Sequence, residues 1–234
     1  IFREVLSYAD EIIVNSLKFK LELKSKLKLN SKCIYNPLNI NQIKKLSNKR
    51  IKLSFYRKKS LNIISIGRLV YQKDHITLLK AINLIKNKIN LKLLIIGEGD
   101  QKKNLRSFIN KNKLNSIVKI KNRIDNPYPY IKKSDLLILS SIFEGLPNVI
   151  LEGLVLKKFI ISSNCPTGPD EILDSGKGGY LFKVGDYKQL SEKILKFKKN
   201  KNEVKKLKKH ANKRINRFNM IRNLNNYYKI VSKI

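Results

Sequence analysis

Between residues 61 and 182 the chain repeats one pattern: a short apolar run, a turn, then a stretch with helical spacing. Leu61–Ile66 (LNIISI) stops at Gly67, and residues 75–89 follow with apolar side chains at 76, 78, 79, 82, 85 and 89, the spacing of one helix face. Leu91–Ile96 (LKLLII) stops at Gly97 and precedes a predicted helix over 101–111. Residues 117–120, 135–139, 159–162 and Tyr180–Phe182 complete the predicted strands, and residues 128–134 and 147–156 complete the helices between them. Strands that alternate with helices build a parallel sheet. Runs without polar alternation require burial on both faces, so the expected class is α/β with helices on both sides of the sheet.

The ends of the chain read differently. All ten glycines lie between Gly67 and Gly185, which confines tight turns to the middle. Residues 11–15 (EIIVN) and 33–35 read as strands around a helix over 17–29, and residues 48–60 as a basic connector. Residues 186–234 read as successive helices and hold 16 basic against 3 acidic side chains. The whole chain carries a formal net charge of +34, but Lys, Asn and Ile supply 100 of its 234 residues. All three have A/T-rich codons, so genome bias accounts for much of the basicity. Such a surface suits acidic partners or an anionic membrane without selecting one. No apolar run is long enough to span a bilayer, and Arg3, Glu4, Asp10 and Glu11 exclude a signal peptide over the first 14 residues. Cys33 and Cys165 make neither a disulfide framework nor a metal-ligand spacing. They read as reduced thiols of a cytoplasmic protein.

In an open α/β sheet, ligands bind beyond the carboxyl ends of the strands. The unusual residues fall in the loops expected there. The first, GRLVYQKD, turns at Gly67, carries the cations Arg68 and Lys73, and ends at Asp74, a predicted helix cap. Two cations at a strand end suit a phosphate, although simple solvation is the competing reading. GEGD (residues 97–100) places Glu98 between two glycines that permit close approach of a ligand; an ordinary turn explains it equally well. FEGLPNVILEGL (residues 143–154) is the most specific. Glu144 follows a strand, Pro147 starts a helix, and the amides of Asn148 and Val149 are expected to be free for an anion. Glu152 lies one turn into that helix, so two carboxylates flank one cleft; a solvated helical Glu is the plainer reading of Glu152. Cys165 has no His at partner spacing, His75 and His210 fall in helical segments, and no Asp-x-Asp pair offers a metal clamp.

Taken in order, GRLVYQKD, IIGEGDQKKNLR, SDLLILSSIFEGLPNVILEGL and PTGPDEIL resemble the donor-binding half of family 4 (group 1) glycosyltransferases, with Glu144 and Glu152 matching the Glu-x7-Glu signature. The resemblance implies a GT-B architecture of two Rossmann-like domains, a retaining transfer from a nucleotide-sugar, and no metal or other cofactor. It implies that Arg68 and Lys73, beside Gly67, contact the donor diphosphate. The backbone of Gly145, Leu146, Pro147, Asn148 and Val149 would cradle its distal phosphate. Glu144 would contact the transferred sugar and act in catalysis, Glu152 would hold the ribose hydroxyls, and Glu98 matches a family position of less defined role.

The implied organisation is a remnant of the acceptor domain (its last strand and helix) over 1–36, a connector over 37–60, a Rossmann-like donor domain over 61–215 and a crossover helix over 216–234. The acceptor domain that usually comes first is almost absent, so the chain reads as a fragment that binds donor without efficient transfer. Its remnant is expected to be poorly anchored. The crossover helix is expected to expose Ile221, Leu224, Tyr228 and Ile230. The implied partners are a nucleotide-sugar and a glycan or lipid-linked acceptor. The leucine-rich basic helix over 17–29 has the composition for peripheral contact at the inner face of the cytoplasmic membrane, with packing on its own sheet the stronger reading. A basic nucleic-acid-binding protein would need aromatics interleaved with cations, and the best such cluster, residues 55–59, is short; no specific nucleic acid is expected. A nonhydrolysing sugar-nucleotide epimerase shares the fold, but the Glu-x7-Glu pair favours transfer.

Overall fold

A computed structural model of the chain describes residues 2–233. In chain order, α1 (Phe2–Ser7), β1 (Ile13–Val14), α2 (Leu17–Glu22), β2 (Lys32–Cys33) and α3 (Ile40–Leu46) precede β3 (Leu61–Ile66). Helices and strands then alternate: α4 (His75–Ile85), β4 (Leu91–Ile96), α5 (Lys102–Lys111), β5 (Val118–Lys121), α6 (Tyr128–Lys133), β6 (Leu136–Leu139), α7 (Asn148–Val155), β7 (Phe159–Ser163), α8 (Pro169–Ile172) and β8 (Tyr180–Phe182). The helices α9 (Tyr187–Lys199), α10 (Lys201–Arg214) and α11 (Met220–Val231) close the chain.

β3 to β8 form one parallel sheet in the order β5-β4-β3-β6-β7-β8. The chain winds outward from β3 through β4 to β5, then returns to β6 on the other side of β3. That reversal is the topological switch point of a Rossmann-like sheet. Alternate strand residues enter two separate cores. Ile63, Leu93, Ile95, Leu136, Ile138 and Ile161 face the layer of α4, α5 and α9. Ile64, Leu94, Ile96, Leu137, Leu139 and Ile160 face the layer of α3, α6 and α7. Double burial of this kind is what the unbroken apolar runs demand, at roughly 1.5–3 kcal/mol for each fully buried Leu or Ile. Gly153 lets α7 lie close, since a Cβ there would meet Ile160 Cδ1 at 2.8 Å.

The flanks depart from the expected helices. Residues 17–29 are not one α-helix: α2, capped by Ser16 Oγ accepting from Phe19 N at 3.2 Å, gives way to a π-helical turn over Leu23–Leu27 that stops at Lys28, φ 57°. The connector contains α3, which starts at Asn39 (Oδ1 accepting from Gln42 N, 2.9 Å) and buries Ile43. The terminal segment is a 3-10 turn over Ile215–Phe218 followed by α11. Ile221, Leu224 and Tyr228 are exposed as expected, but Ile230 is buried and Val231 takes its place on the open face. β1 and β2 pair in parallel around α2 as a small separate sheet.

Candidate active site

The two loops beside the switch point, residues 67–74 after β3 and 140–147 after β6, are bonded to each other along their length. Ile142 N donates to Gln72 O (2.8 Å), Gln72 Nε2 to Phe143 O (2.9 Å), and Ser140 Oγ to the carbonyls of Lys73 (3.1 Å) and Asp74 (2.9 Å). Asp74 caps α4 from a left-handed conformation, φ 43°, its carboxylate accepting from Thr77 N at 3.2 Å. Burial raises the Asp74 pKa, partly offset by that bond. Beneath the loop, His75 is buried, with Nδ1 3.5 Å from Ser65 Oγ and Nε2 without a partner. Burial lowers its pKa to about 4, so it is a neutral packing group rather than a base.

The centre of the site is an ion pair. Lys73 Nζ donates to Glu144 Oε1 at 2.6 Å, and Ser141 Oγ donates to the same oxygen at 2.6 Å. The side chains keep 17% and 8% of their exposure, so the pair is largely withdrawn from water. Thr167 Oγ1 holds the Glu144 carbonyl, which fixes the loop from the β7 side. Glu144 lines a cavity of about 260 Å³ with Gly145, Phe143, Thr167 and, from the N-terminal unit, Asn15, Phe19 and Glu22. Arg68 lies at the exposed rim, and its guanidinium donates to Gln72 Oε1 at 3.3 Å. The Lys73 stem passes over Gly67, where a Cβ would make only ordinary contact with it at 3.5 Å.

α7 begins at Asn148. Pro147 is the residue before it, extended at ψ 104°, rather than the first helical residue. Leu146 and Pro147 are buried, Gly145 is exposed, and the amides of Asn148 and Val149 find no acceptor among the described residues. Unpaired amides at a helix start attract an anion. Glu152 is half-buried, not solvated: it accepts from Tyr128 OH at 3.4 Å, and burial raises its pKa against that bond. The GEGD loop has the geometry of the plainer of its two readings, a βα turn with an exposed acid. A Cβ on Gly97 would fall 1.9 Å from Gly67 O, and one on Gly99, at φ 153°, 2.4 Å from Leu69 O. These glycines make room for the chain's own first loop, where Leu69 N donates to Glu98 O at 2.7 Å. The Glu98 side chain is exposed.

The family model for glycosyl transferases group 1 matches residues 48–214, a span that holds both switch-point loops and α7. The chain belongs to the group 1 glycosyltransferases. It is 35% identical over 178 residues to an uncharacterized glycosyltransferase of Methanocaldococcus jannaschii, covering 74% of this chain and 44% of that protein. It is 30% identical over 151 residues to the N-acetylgalactosamine-N,N'-diacetylbacillosaminyl-diphospho-undecaprenol 4-alpha-N-acetylgalactosaminyltransferase of Campylobacter jejuni, covering 64% and 40%. Anabaena HepE, solved in complex with UDP, superimposes with a TM-score of 0.84 at 19% identity, over 97% of this chain and 65% of that one. A glycosyltransferase of Rickettsia africae gives 0.86 at 19% identity, over 99% and 66%. These two likenesses concern the fold. The chain spans less than half the length of the two sequence relatives.

In this group 1 glycosyltransferase chain, several residues at the site were not singled out from the sequence. Gln72 and Ser141 hold the two loops and Glu144; each is an ordinary polar residue whose partner lies about seventy positions away or across a turn. Glu171 is the larger omission. Its carboxylate accepts from Leu17 N (3.0 Å), Lys18 N (3.4 Å) and Tyr35 OH (2.6 Å), while Asp170 pairs with Lys18. The N-terminal unit expected to be poorly anchored is therefore clamped onto the α8 loop. The PDE triplet was the available signal. Gly168, φ 73°, lets that loop stack on Gly145 and Pro147.

Proposed function

We propose that this chain forms the donor side of a glycosyltransferase that moves a sugar from a nucleotide-sugar to a glycan or lipid-linked glycan acceptor, with retention of configuration. The observation that carries the reading is the pairing of Lys73 with Glu144 at the switch point, beside the unpaired amides of Asn148 and Val149. A diphosphate placed there would meet Lys73, the rim guanidinium of Arg68 and the start of α7. These cations and amides can carry the charge that grows on the leaving diphosphate without a metal. Glu144, released from Lys73 by the incoming anion, would turn to the sugar beside the cavity it lines. Glu152, on the next turn of α7, would take the ribose hydroxyls. UDP is the nucleotide to try first, since HepE was solved with it, and the undecaprenol-linked acceptor in the Campylobacter relative's name supports a lipid-linked acceptor.

The test is a transfer assay of a version carrying an upstream acceptor domain, with UDP-sugars and a diphospho-undecaprenol-linked glycan, the anomeric configuration of the product being read by NMR. An α product from an α donor supports the reading. An inverted product overturns retention, and release of free UDP-sugar epimer without transfer overturns the reaction class.

A further inference from the structure

At the amino ends of β3 and β6, across the sheet from the donor loops, lies a groove of about 1080 Å³. Eight lysines line it against one carboxylate, Asp135, and that carboxylate is already engaged by Asn62 N at 2.8 Å. The α10 residues in the groove are 201, 204, 205, 208, 209, 212 and 213. They fall at i, i+3, i+4, i+7, i+8, i+11 and i+12, one continuous face of the helix about 18 Å long. That face reads Lys, Val, Lys, Lys, Lys, Asn, Lys. The side of α10 toward the sheet carries Leu207 and buried Ala211.

The cationic character continues sideways. A second concavity, of about 750 Å³, is lined by Lys49, Arg50, Lys52, Lys132 and Lys133 with no carboxylate. Lys158 joins the two by donating to the carbonyls of Lys132 (2.6 Å) and Ser134 (2.8 Å), directly before Asp135. Six acids, Asp74, Glu98, Asp100, Glu144, Asp170 and Glu171, lie beyond the carboxyl ends of the strands, while those that meet α10 are already paired: Glu203 with Lys196 (2.8 Å) and Asp174 with His210 (2.6 Å). Like charges at i, i+4 destabilise a helix by about 0.2–0.5 kcal/mol per pair. Lys201, Lys205, Lys209 and Lys213 stack three such pairs on one face, and an anionic partner would relieve them.

We propose that this face docks the protein onto an anionic phospholipid surface. The floor of the groove is apolar, formed by Leu61, Phe197 and Val204. Phe197 is stacked on Phe159 at 5.0 Å between centroids, and no Tyr or further Phe lines either concavity, so bases have no free ring to stack on. Aliphatic floor, lysine stems and a spread of cations over two adjoining concavities suit phosphate headgroups and the upper acyl carbons instead. Docked this way, the donor loops stand about 20 Å or more from the lipid, the depth of the six-residue strand β3. An acceptor would then present its reacting end away from the bilayer. The proposal does not rest on the transfer reaction.

The experiment is co-sedimentation of the chain with vesicles of phosphatidylcholine alone or with one-third phosphatidylglycerol, at near-physiological salt. Wild type should bind only the anionic vesicles. The triple variant Lys201→Ala, Lys205→Ala, Lys209→Ala should bind about 100-fold more weakly, from about 1 kcal/mol per cation near the surface. Alanine is the strongest helix former, so α10 should persist, as circular dichroism can verify. A control triple at the donor end, Lys102→Ala, Lys103→Ala, Lys183→Ala, removes the same charge and should lose less than about threefold. Equal loss in both triples would reduce the effect to net charge and overturn the proposal. So would wild type that stays in solution with anionic vesicles, or a single-stranded RNA that binds more tightly than the vesicles and is lost in the α10 variant.

Discussion

Glu144→Gln separates competition from organisation at the donor site. Lys73 donates to Glu144, so an incoming diphosphate must displace that carboxylate. A hydrogen bond to a charged partner contributes roughly 1.5–3 kcal/mol. The displaced carboxylate recovers part of this from water, because Lys73 and Glu144 retain 17% and 8% exposure; about 1 kcal/mol remains as the net cost of displacement. Gln keeps the shape and the contact with Ser141 but not the charge. Nucleoside diphosphate without sugar should therefore bind the variant about fivefold more tightly, while in a version carrying the acceptor domain turnover with the complete donor falls because the contact to the sugar is lost. Isothermal calorimetry with UDP beside a transfer assay reads both. Tenfold weaker UDP binding would show that Glu144 organises the phosphate site rather than competing with it. Lys73→Ala is the mirror case: it leaves a mostly buried carboxylate unpaired and should cost about 2 kcal/mol of stability, below the roughly 3–5 kcal/mol of a fully buried pair because the site keeps some access to water. Adding Glu144→Gln should restore stability without restoring binding.

Three further outcomes follow from the same geometry. Glu152→Gln should weaken nucleotide binding about tenfold while leaving turnover at saturating donor within about threefold, measured as Kd beside kcat; equal losses in both would merge its role with that of Glu144. His75 has its folded pKa lowered to about 4, below the ordinary value, so the unfolded chain takes up the proton first. Its stabilising effect is whole above about pH 6.5 and is lost as pH falls toward 4, about 2 kcal/mol by pH 5. Urea denaturation at pH 7 and pH 5 should show that loss, and His75→Leu should abolish it. On α11, Ile221, Leu224, Tyr228 and Val231 form an open apolar stripe with exposures of 66%, 46%, 74% and 64%. Leu224→Ser with Tyr228→Ser should lower concentration-dependent self-association in analytical ultracentrifugation; unchanged association would remove the stripe as its cause.

The sheet was legible because double burial writes itself into sequence: LNIISI and LKLLII have no polar alternation, and each stops at a glycine. The place of the site was legible too, because loops at the carboxyl ends of such strands are where ligands lie. The pairings were not. Nothing local links Lys73 to Glu144, and each had been assigned a separate ligand group; only the reversal between β3 and β6 brings the two loops together. The GEGD glycines left two readings open, room for a ligand or an ordinary turn, because a sequence shows the need for space, not which backbone fills it. The π-helical turn over Leu23–Leu27 carries the same Leu and Lys spacing as an α-helix, and α3 was hidden in a basic connector although Asn39, Ile40 and Ile43 spell a cap and a buried face. Ile230 belongs inside by simple helix geometry, half a turn from Ile221 at 100° per residue, and the open stripe runs through Val231 instead.

The central claim is that the switch-point loops bind the diphosphate of a nucleotide-sugar through Arg68 and Lys73. The direct measurement is calorimetric titration of UDP and UDP-glucose into the wild-type chain, Arg68→Ala and Lys73→Ala, with melting curves to establish that each variant is folded. The account predicts binding to wild type and affinities at least tenfold weaker in both variants, from roughly 1.5–3 kcal/mol per charge-assisted bond. Wild-type binding that survives unchanged in both folded variants would place the diphosphate elsewhere and contradict the account.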